Sequence, residues 1–161
     1  MRIATESDLP AIVAIYNSTV PTRQSTADTV EISIESRREW FNQHIPAKRP
    51  LLVHEQDRRV IAWVSFQSFY GRPAYDHTVE VSIYIAPEHR GKGLGRTLLA
   101  EALDMTKSLD IKTVIGFVFS HNEPSIRLLK SFGFESWGQL PGVAEMDGKE
   151  YSLSIFGKRV N

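Results

Sequence analysis

Between residues 78 and 109 the chain passes from an alternating β-branched run, through a cluster of glycines, into an amphipathic stretch, and this most narrows the folds open to it. Thr78 to Ala86 reads as a strand in which Val79, Val81, Ile83 and Ile85 alternate with other residues, and Pro87 ends it. Leu94 to Leu109 reads as a helix whose stripe is Leu94, Leu98, Leu99, Ala102, Leu103 and Met105. Between the two stands Arg90-Gly91-Lys92-Gly93-Leu94-Gly95-Arg96. Glycines let a backbone turn its N–H groups into a concavity, and a helix start adds partial positive charge. Lys92 and the two arginines add whole charges, so the segment suits a phosphate or pyrophosphate.

Elements of both kinds surround this centre. Thr5 to Val20 reads as an amphipathic helix with Leu9, Ile12, Val13 and Tyr16 on one side, Thr5 or Ser7 as cap and Pro10 in its first turn. A polar, Thr-rich stretch from Pro21 to Ile32 reads as loop, and Ser33 to Ile45 as a second helix stopped by Pro46. Leu51 to Glu55, a turn at Gln56-Asp57-Arg58, and Arg59 to Phe66 read as a β-hairpin. Ser68 to His77 reads as an ordered loop. Thr113 to Phe119 is apolar enough for a strand buried on both faces. Asn122 caps a helix through Phe132, with Gly133 as its stop. Phe134 to Leu140 and Glu150 to Phe156 read as the last strands, joined by a loop containing Pro141-Gly142 and Asp147-Gly148. The fold class is α/β, with helices around a mixed sheet, and the 161 residues read as a single domain, 1–161.

Composition removes several function classes. The absence of cysteine rules out disulfides, thiolate nucleophiles and cysteine metal sites. Basic and acidic residues balance at 19 each, so the basic excess expected of a nucleic-acid binder is missing. No apolar run approaches the roughly 20 residues a membrane span needs. The N-terminus lacks a signal core, which makes the cytoplasm the expected compartment.

Familiar phosphate loops do not fit the glycine cluster. A P-loop needs G-x-x-x-x-G-K-[ST], and a dinucleotide fingerprint needs G-x-G-x-x-G. Counted from Gly91 the third glycine falls on Arg96, and counted from Gly93 it falls on Leu98. The pattern present is R-x-x-G-x-G, preceded by Tyr84-Ile85-Ala86-Pro87 and followed by a strand and Asn122-x-x-Ser125. It resembles the acyl-CoA motif of the GNAT N-acetyltransferases. Three further segments, Ala11 to Asn17, Ala74 to Glu80 and Ser82 to Ile85, are similar to the phosphinothricin and methionine sulfoximine or sulfone acetyltransferases. The resemblance runs nearly end to end.

It implies a mixed, mostly antiparallel sheet flanked by helices on both faces, acetyl-CoA as co-substrate, no metal, a small amino-acid acceptor and a homodimer. It also implies that the amides and charges of Arg90, Gly91, Lys92, Gly93, Leu94, Gly95 and Arg96 hold the pyrophosphate. Asn122 and Ser125 would flank the pantetheine arm, and a backbone N–H among Ile83, Tyr84 and Ile85, at a splayed point, would receive the carbonyl oxygen. Amide formation needs a neutral amine, so a base is useful. Glu80 is the candidate: it stands in an otherwise aliphatic strand, on one face with Ser82 and Tyr84. Relatives place a tyrosine or histidine where this chain has Leu129, which leaves departure of the thiolate unassisted, or assisted by Tyr84 or a water. Arg72 is the candidate for a substrate carboxylate, with Tyr70 and Tyr75 walling the pocket. His77 and His121 lack carboxylates at metal spacing and read as structural. Two other readings share these residues: an acetyltransferase of protein N-termini or lysines, and a non-catalytic acyl-CoA sensor.

Overall fold

A computed structural model describes residues 1–161. Seven strands make one sheet: β1 (Arg2–Ile3), β2 (Leu51–Gln56), β3 (Arg59–Ser68), β4 (Thr78–Ile85), β5 (Thr113–Phe119), β6 (Glu135–Met146) and β7 (Lys149–Arg159). Their spatial order is β1-β2-β3-β4-β5-β7-β6. Only β4 and β5 run parallel, and every other neighbouring pair is antiparallel. The helices are α1 (Leu9–Asn17), α2 (Ile34–Asn42), α3 (Leu94–Met105) and α4 (Glu123–Ser131).

Alternation along the strands assigns the helices to the two faces. On β3, Ala62, Val64 and Phe66 join Leu98, Leu99 and Ala102 of α3 and Leu129 of α4 in one core. Trp63, between them in sequence, joins Ile12, Ile15 and Tyr16 of α1 in the other, with Trp40 and Phe41 of α2 packed against it. Phe66 and Trp63 are almost completely buried, and burying a large apolar side chain contributes about 1.5–3 kcal/mol.

Local chemistry shapes the ends of these elements. Ser33 Oγ accepts from Ser36 N (3.1 Å) and starts α2. Asn122 Oδ1 accepts from Ser125 N (3.2 Å) and starts α4. At the far end of α4, Gly133 N donates to Lys130 O (3.0 Å) and Phe134 N to Leu129 O (3.2 Å), with Gly133 at φ 76°. That pair of bonds needs a left-handed residue, so the glycine stop lies where the sequence implies.

Three expectations are corrected. The first helix starts at Leu9, because the Asp8 carboxylate accepts from Thr5 N (2.7 Å) and Thr5 Oγ1 (3.0 Å) and holds Glu6–Asp8 in a 3-10 turn. The third helix ends at Met105, four residues short of Leu109. The loop expected at Pro141-Gly142 is strand: β6 continues to Met146, and the connection is only Asp147-Gly148, both at positive φ. Pro141 is tolerated because β6 is an edge strand, and a register shift between Leu140 and Ala144 absorbs it. A strand absent from the sequence reading, β1, exists only through its pairing of Arg2 with Val53 and Ile3 with Leu52. Two residues are too few to show a period.

Candidate active site

The site arises where the sheet opens. Strand β4 pairs with β3 from Val79 to Ile85, but with β5 only from Thr78 to Glu80. β5 continues along β7 as far as Phe119↔Leu153, so β4 and β5 part after Glu80. Ala86 N donates to Ile61 O (2.8 Å). Backbone groups alternate sides along a strand. Ala86, Tyr84 and Ser82 therefore face β3, and Ile83 and Ile85 turn their N–H groups toward the opening. A cavity of about 710 Å³ occupies it, walled by Glu80–Ile85, Gly116–Phe119 and the start of α4.

The glycine loop closes one end. Gly91 (φ 71°) and Gly93 (φ 84°) are left-handed, and a Cβ on either would meet nothing within 4 Å. The loop is thus an open cradle that only its backbone conformation reserves for glycine. Gly95 differs, since a Cβ there would lie 3.3 Å from Leu128 and 3.5 Å from Ile85, so it lets α3 approach its neighbours. The first amides of α3 have no partner within the helix and give the cradle donors. Lys92 is exposed. Arg96 is also exposed, donates to Ser131 Oγ (3.3 Å) and lies over the Phe132 ring at 5.1 Å. Arg90 is bound within the chain: Nε donates to Ile85 O (2.7 Å) and Nη2 to Ser18 Oγ (2.8 Å). It fastens the loop to the ends of β4 and α1, and burial pulls its pKa down.

The stretch after α1, read from sequence only as polar loop, roofs the cavity. Asn122 Nδ2 donates to Gln24 O (3.0 Å), His121 Nε2 to Arg23 O (2.7 Å) and the Tyr84 hydroxyl to Ser25 O (2.9 Å). These partners lie 59 to 98 residues away, and no local signal announces them. Asn122 therefore caps α4 and holds the roof at once. Leu129 is buried against the cavity wall and has no proton to give. Gly116 makes room for it, since a Cβ there would stand 3.1 Å from Leu129 Cδ1.

Glu80 lines the cavity with Ser82 and Tyr84. Burial pushes its carboxyl above the usual range, and a hydrogen bond from Ser82 opposes the shift. Tyr84 stacks on Trp63 at 4.4 Å. Burial, and then the neighbouring Tyr16, raise its pKa, so with its hydroxyl already committed to Ser25 it is a poor acid. Tyr70, Arg72 and Tyr75 are exposed and outside the cavity lining. The two tyrosines cluster with Phe69, at 4.3 and 5.5 Å between ring centres.

A family model described as "Acetyltransferase (GNAT) family" matches residues 11–134. The chain is 51% identical over 162 residues to the Bacillus subtilis (strain 168) protein named "Putative phosphinothricin acetyltransferase YwnH", covering 100% of this chain and 99% of the relative. It is 31% identical to the L-methionine sulfoximine/L-methionine sulfone acetyltransferase of Salmonella typhimurium (strain LT2), with 96% and 91% covered. Among solved structures, a ribosomal-protein-alanine N-acetyltransferase from Brucella melitensis superposes with a TM-score of 0.91 at 34% identity, covering 98% of each chain. A GNAT superfamily phosphinothricin acetyltransferase from Sinorhizobium meliloti, in complex with AcCoA, superposes with a TM-score of 0.92 at 28% identity, covering 99% and 87%.

Proposed function

The chain belongs to the acetyltransferase (GNAT) family and is an acetyl-CoA-dependent N-acetyltransferase, and from that premise we propose that its acceptor is the α-amine of a small amino acid or a toxic analogue of the phosphinothricin, methionine sulfoximine or methionine sulfone type. One observation carries the reading: the sheet opens immediately after Glu80, with a carboxylate of raised pKa and the N–H groups of Ile83 and Ile85 on the same stretch of strand.

The residues divide the work by chemistry. Acetyl-CoA supplies, when bound, the thioester that an amine attacks. The amides of Gly91 to Gly95 and the exposed charges of Lys92 and Arg96 suit its pyrophosphate. Ser125 suits the arm, and Asn122, its amide engaged with Ser125 N and Gln24 O, holds the walls around it. Arg90 positions the loop. Ile83 and Ile85 offer N–H donors for negative charge developing on a carbonyl oxygen. Glu80, directly or through a water, takes the proton of the amine, and its raised pKa brings it closer to working pH. Leu129 and the engaged Tyr84 leave the thiolate to depart without a side-chain acid. An exposed Arg72 gains no support from its position as a carboxylate anchor.

The likeness to a ribosomal-protein-alanine N-acetyltransferase favours a second acceptor, the N-terminal amine of a protein. Thiol release measured with phosphinothricin, L-methionine sulfone, an alanine-initiated peptide and no acceptor separates the readings. Turnover of the two amino acids well above the peptide is expected; turnover of the peptide alone, or of none of the three, overturns the proposed acceptor. No helix is long and apolar enough to cross a membrane. A cytoplasmic homodimer belongs to the same proposal on the family resemblance, and light scattering measures the assembly.

A further inference from the structure

Arg37 sits on α2 with its guanidinium carbon 3.8 Å from the Trp40 ring centre and 5.0 Å from that of Tyr16. It is half-buried, and burial lowers its pKa, yet none of its N–H groups has a hydrogen-bond or ion-pair partner. Arg49, also buried, shows the ordinary solution: it donates to Ser68 Oγ, Lys48 O and Asp76 O. A desolvated guanidinium with its planar fork free calls for an oxyanion.

Its surroundings repeat the pattern. Trp40 Nε1 and Ser65 Oγ are buried without a partner. Trp40 meets Trp63 edge-on at 5.6 Å, Ser65 follows two residues later on the same face of β3, and Ser82 of β4 lies opposite it. A third unpaired atom is an acceptor, His44 Nε2, whose ring donates through Nδ1 to Trp40 O (2.9 Å). Buried polar groups are normally satisfied, and the three side-chain atoms left unpaired all lie around α2 and the sheet face it covers. Glu80 and Arg37 act on opposite sides of the balance at Tyr84, the carboxylate raising and the cation lowering its pKa. Arg37 does not itself line the cavity, but it lies over the Tyr16 ring, Tyr16 lies 5.2 Å from the Tyr84 ring, and Tyr84 lines the cavity with Glu80. An aromatic pair thus connects a cation to a base, as the two charged ends of an amino acid require.

We propose that the face between α2 and β3–β4 holds the carboxylate of the acceptor, with the Arg37 guanidinium as its anchor. The assignment rests on the reading that the acceptor is an amino acid. It makes Arg37 a specificity determinant for that acceptor.

The test compares L-methionine sulfone with the corresponding amine lacking its carboxylate, 3-(methylsulfonyl)propylamine. Arg37→Gln keeps a polar stem without charge, and Arg37→Lys keeps the charge without the fork. In Arg37→Gln, kcat/KM for the amino acid should fall roughly 10- to 150-fold, mainly through KM, the scale of a lost charged hydrogen bond. The amine should be unaffected, acetyl-CoA KM unchanged, and Arg37→Lys intermediate. An equal loss for amine and amino acid, as misfolding would give, overturns the assignment. So does selectivity that moves in Arg72→Gln and not in Arg37→Gln. Tryptophan fluorescence supplies a readout without turnover, since Trp40 lies against the guanidinium. Binding of methionine sulfone that weakens in Arg37→Gln, without acetylation, supports the anchor and sinks the transferase reading for this acceptor. Equal binding in wild type and variant, or none in wild type, overturns the anchor.

Discussion

Replacing Glu80 by glutamine removes a base and a buried charge together, and the two consequences have opposite signs. Loss of a positioned base should cut kcat by roughly 100-fold or more, or about 2.7 kcal/mol of barrier. Stability should move the other way. Burial raises the Glu80 pKa above its usual 4.5. Below pH 4.5 the carboxyl is neutral in the folded and unfolded chains alike. As pH climbs the unfolded chain ionises first, so the wild type loses stability until the pH passes the raised value. The loss is about 1.4 kcal/mol for each tenfold weakening of the acid on folding. Glutamine cannot ionise, so the variant should gain on the wild type from pH 4.5 upward and hold a constant margin once the pH passes the raised value. Thiol-release kinetics from pH 5 to 9, denaturant unfolding at pH 4 and 8, and calorimetry with coenzyme A measure all three quantities. Turnover within threefold of wild type in a folded variant with normal coenzyme affinity refutes the base role. A margin that does not grow with pH refutes the account of burial.

Gly93→Val should weaken coenzyme A binding through strain, because a branched residue at φ 84° costs about 1–3 kcal/mol while its Cβ meets open space; unchanged affinity by calorimetry would show that the cradle is not used. With Leu129 in place of an acid, the pH profile of kcat/KM should rise and then plateau to roughly pH 9. A falling limb that disappears in Tyr84→Phe would make Tyr84 the acid despite its bond to Ser25. Gly157→Ala places a Cβ 2.1 Å from the Trp137 ring, an overlap that should cost about 1–3 kcal/mol. Thermal unfolding should show most of that loss recovered in the double variant with Trp137→Ala.

Much was legible wherever the deciding interaction is local. The β-branched alternation of β4, the glycine loop, the Asn122 cap and the Gly133 stop are contacts among residues within about five positions, and each appears where its chemistry implies. Period two likewise separates the faces of β4: Val79, Val81, Ile83 and Ile85 pack in the core with α3, and Tyr84 packs in the core with α1. At Pro141-Gly142 the local signal is for loop and the chain is strand, because whether a proline interrupts a strand depends on an edge position that no local window contains.

Local sequence settles where the four helices and most strands lie, though not β1 or the far half of β6, and it settles which faces are apolar and where the glycine loop stands between β4 and α3. Tertiary structure alone decided where β4 leaves β5, which turned a run of aliphatic residues into an opening with free amides. It alone drew Gln24 and Ser25 across that opening, tied Arg90 into the loop it was expected to serve as a ligand, and left Arg37 desolvated with no partner. The physical reason is range. A cap or an amphipathic stripe is settled within a turn or two of chain, whereas register, burial and the satisfaction of a buried donor depend on residues tens of positions away that only the packed sheet brings together.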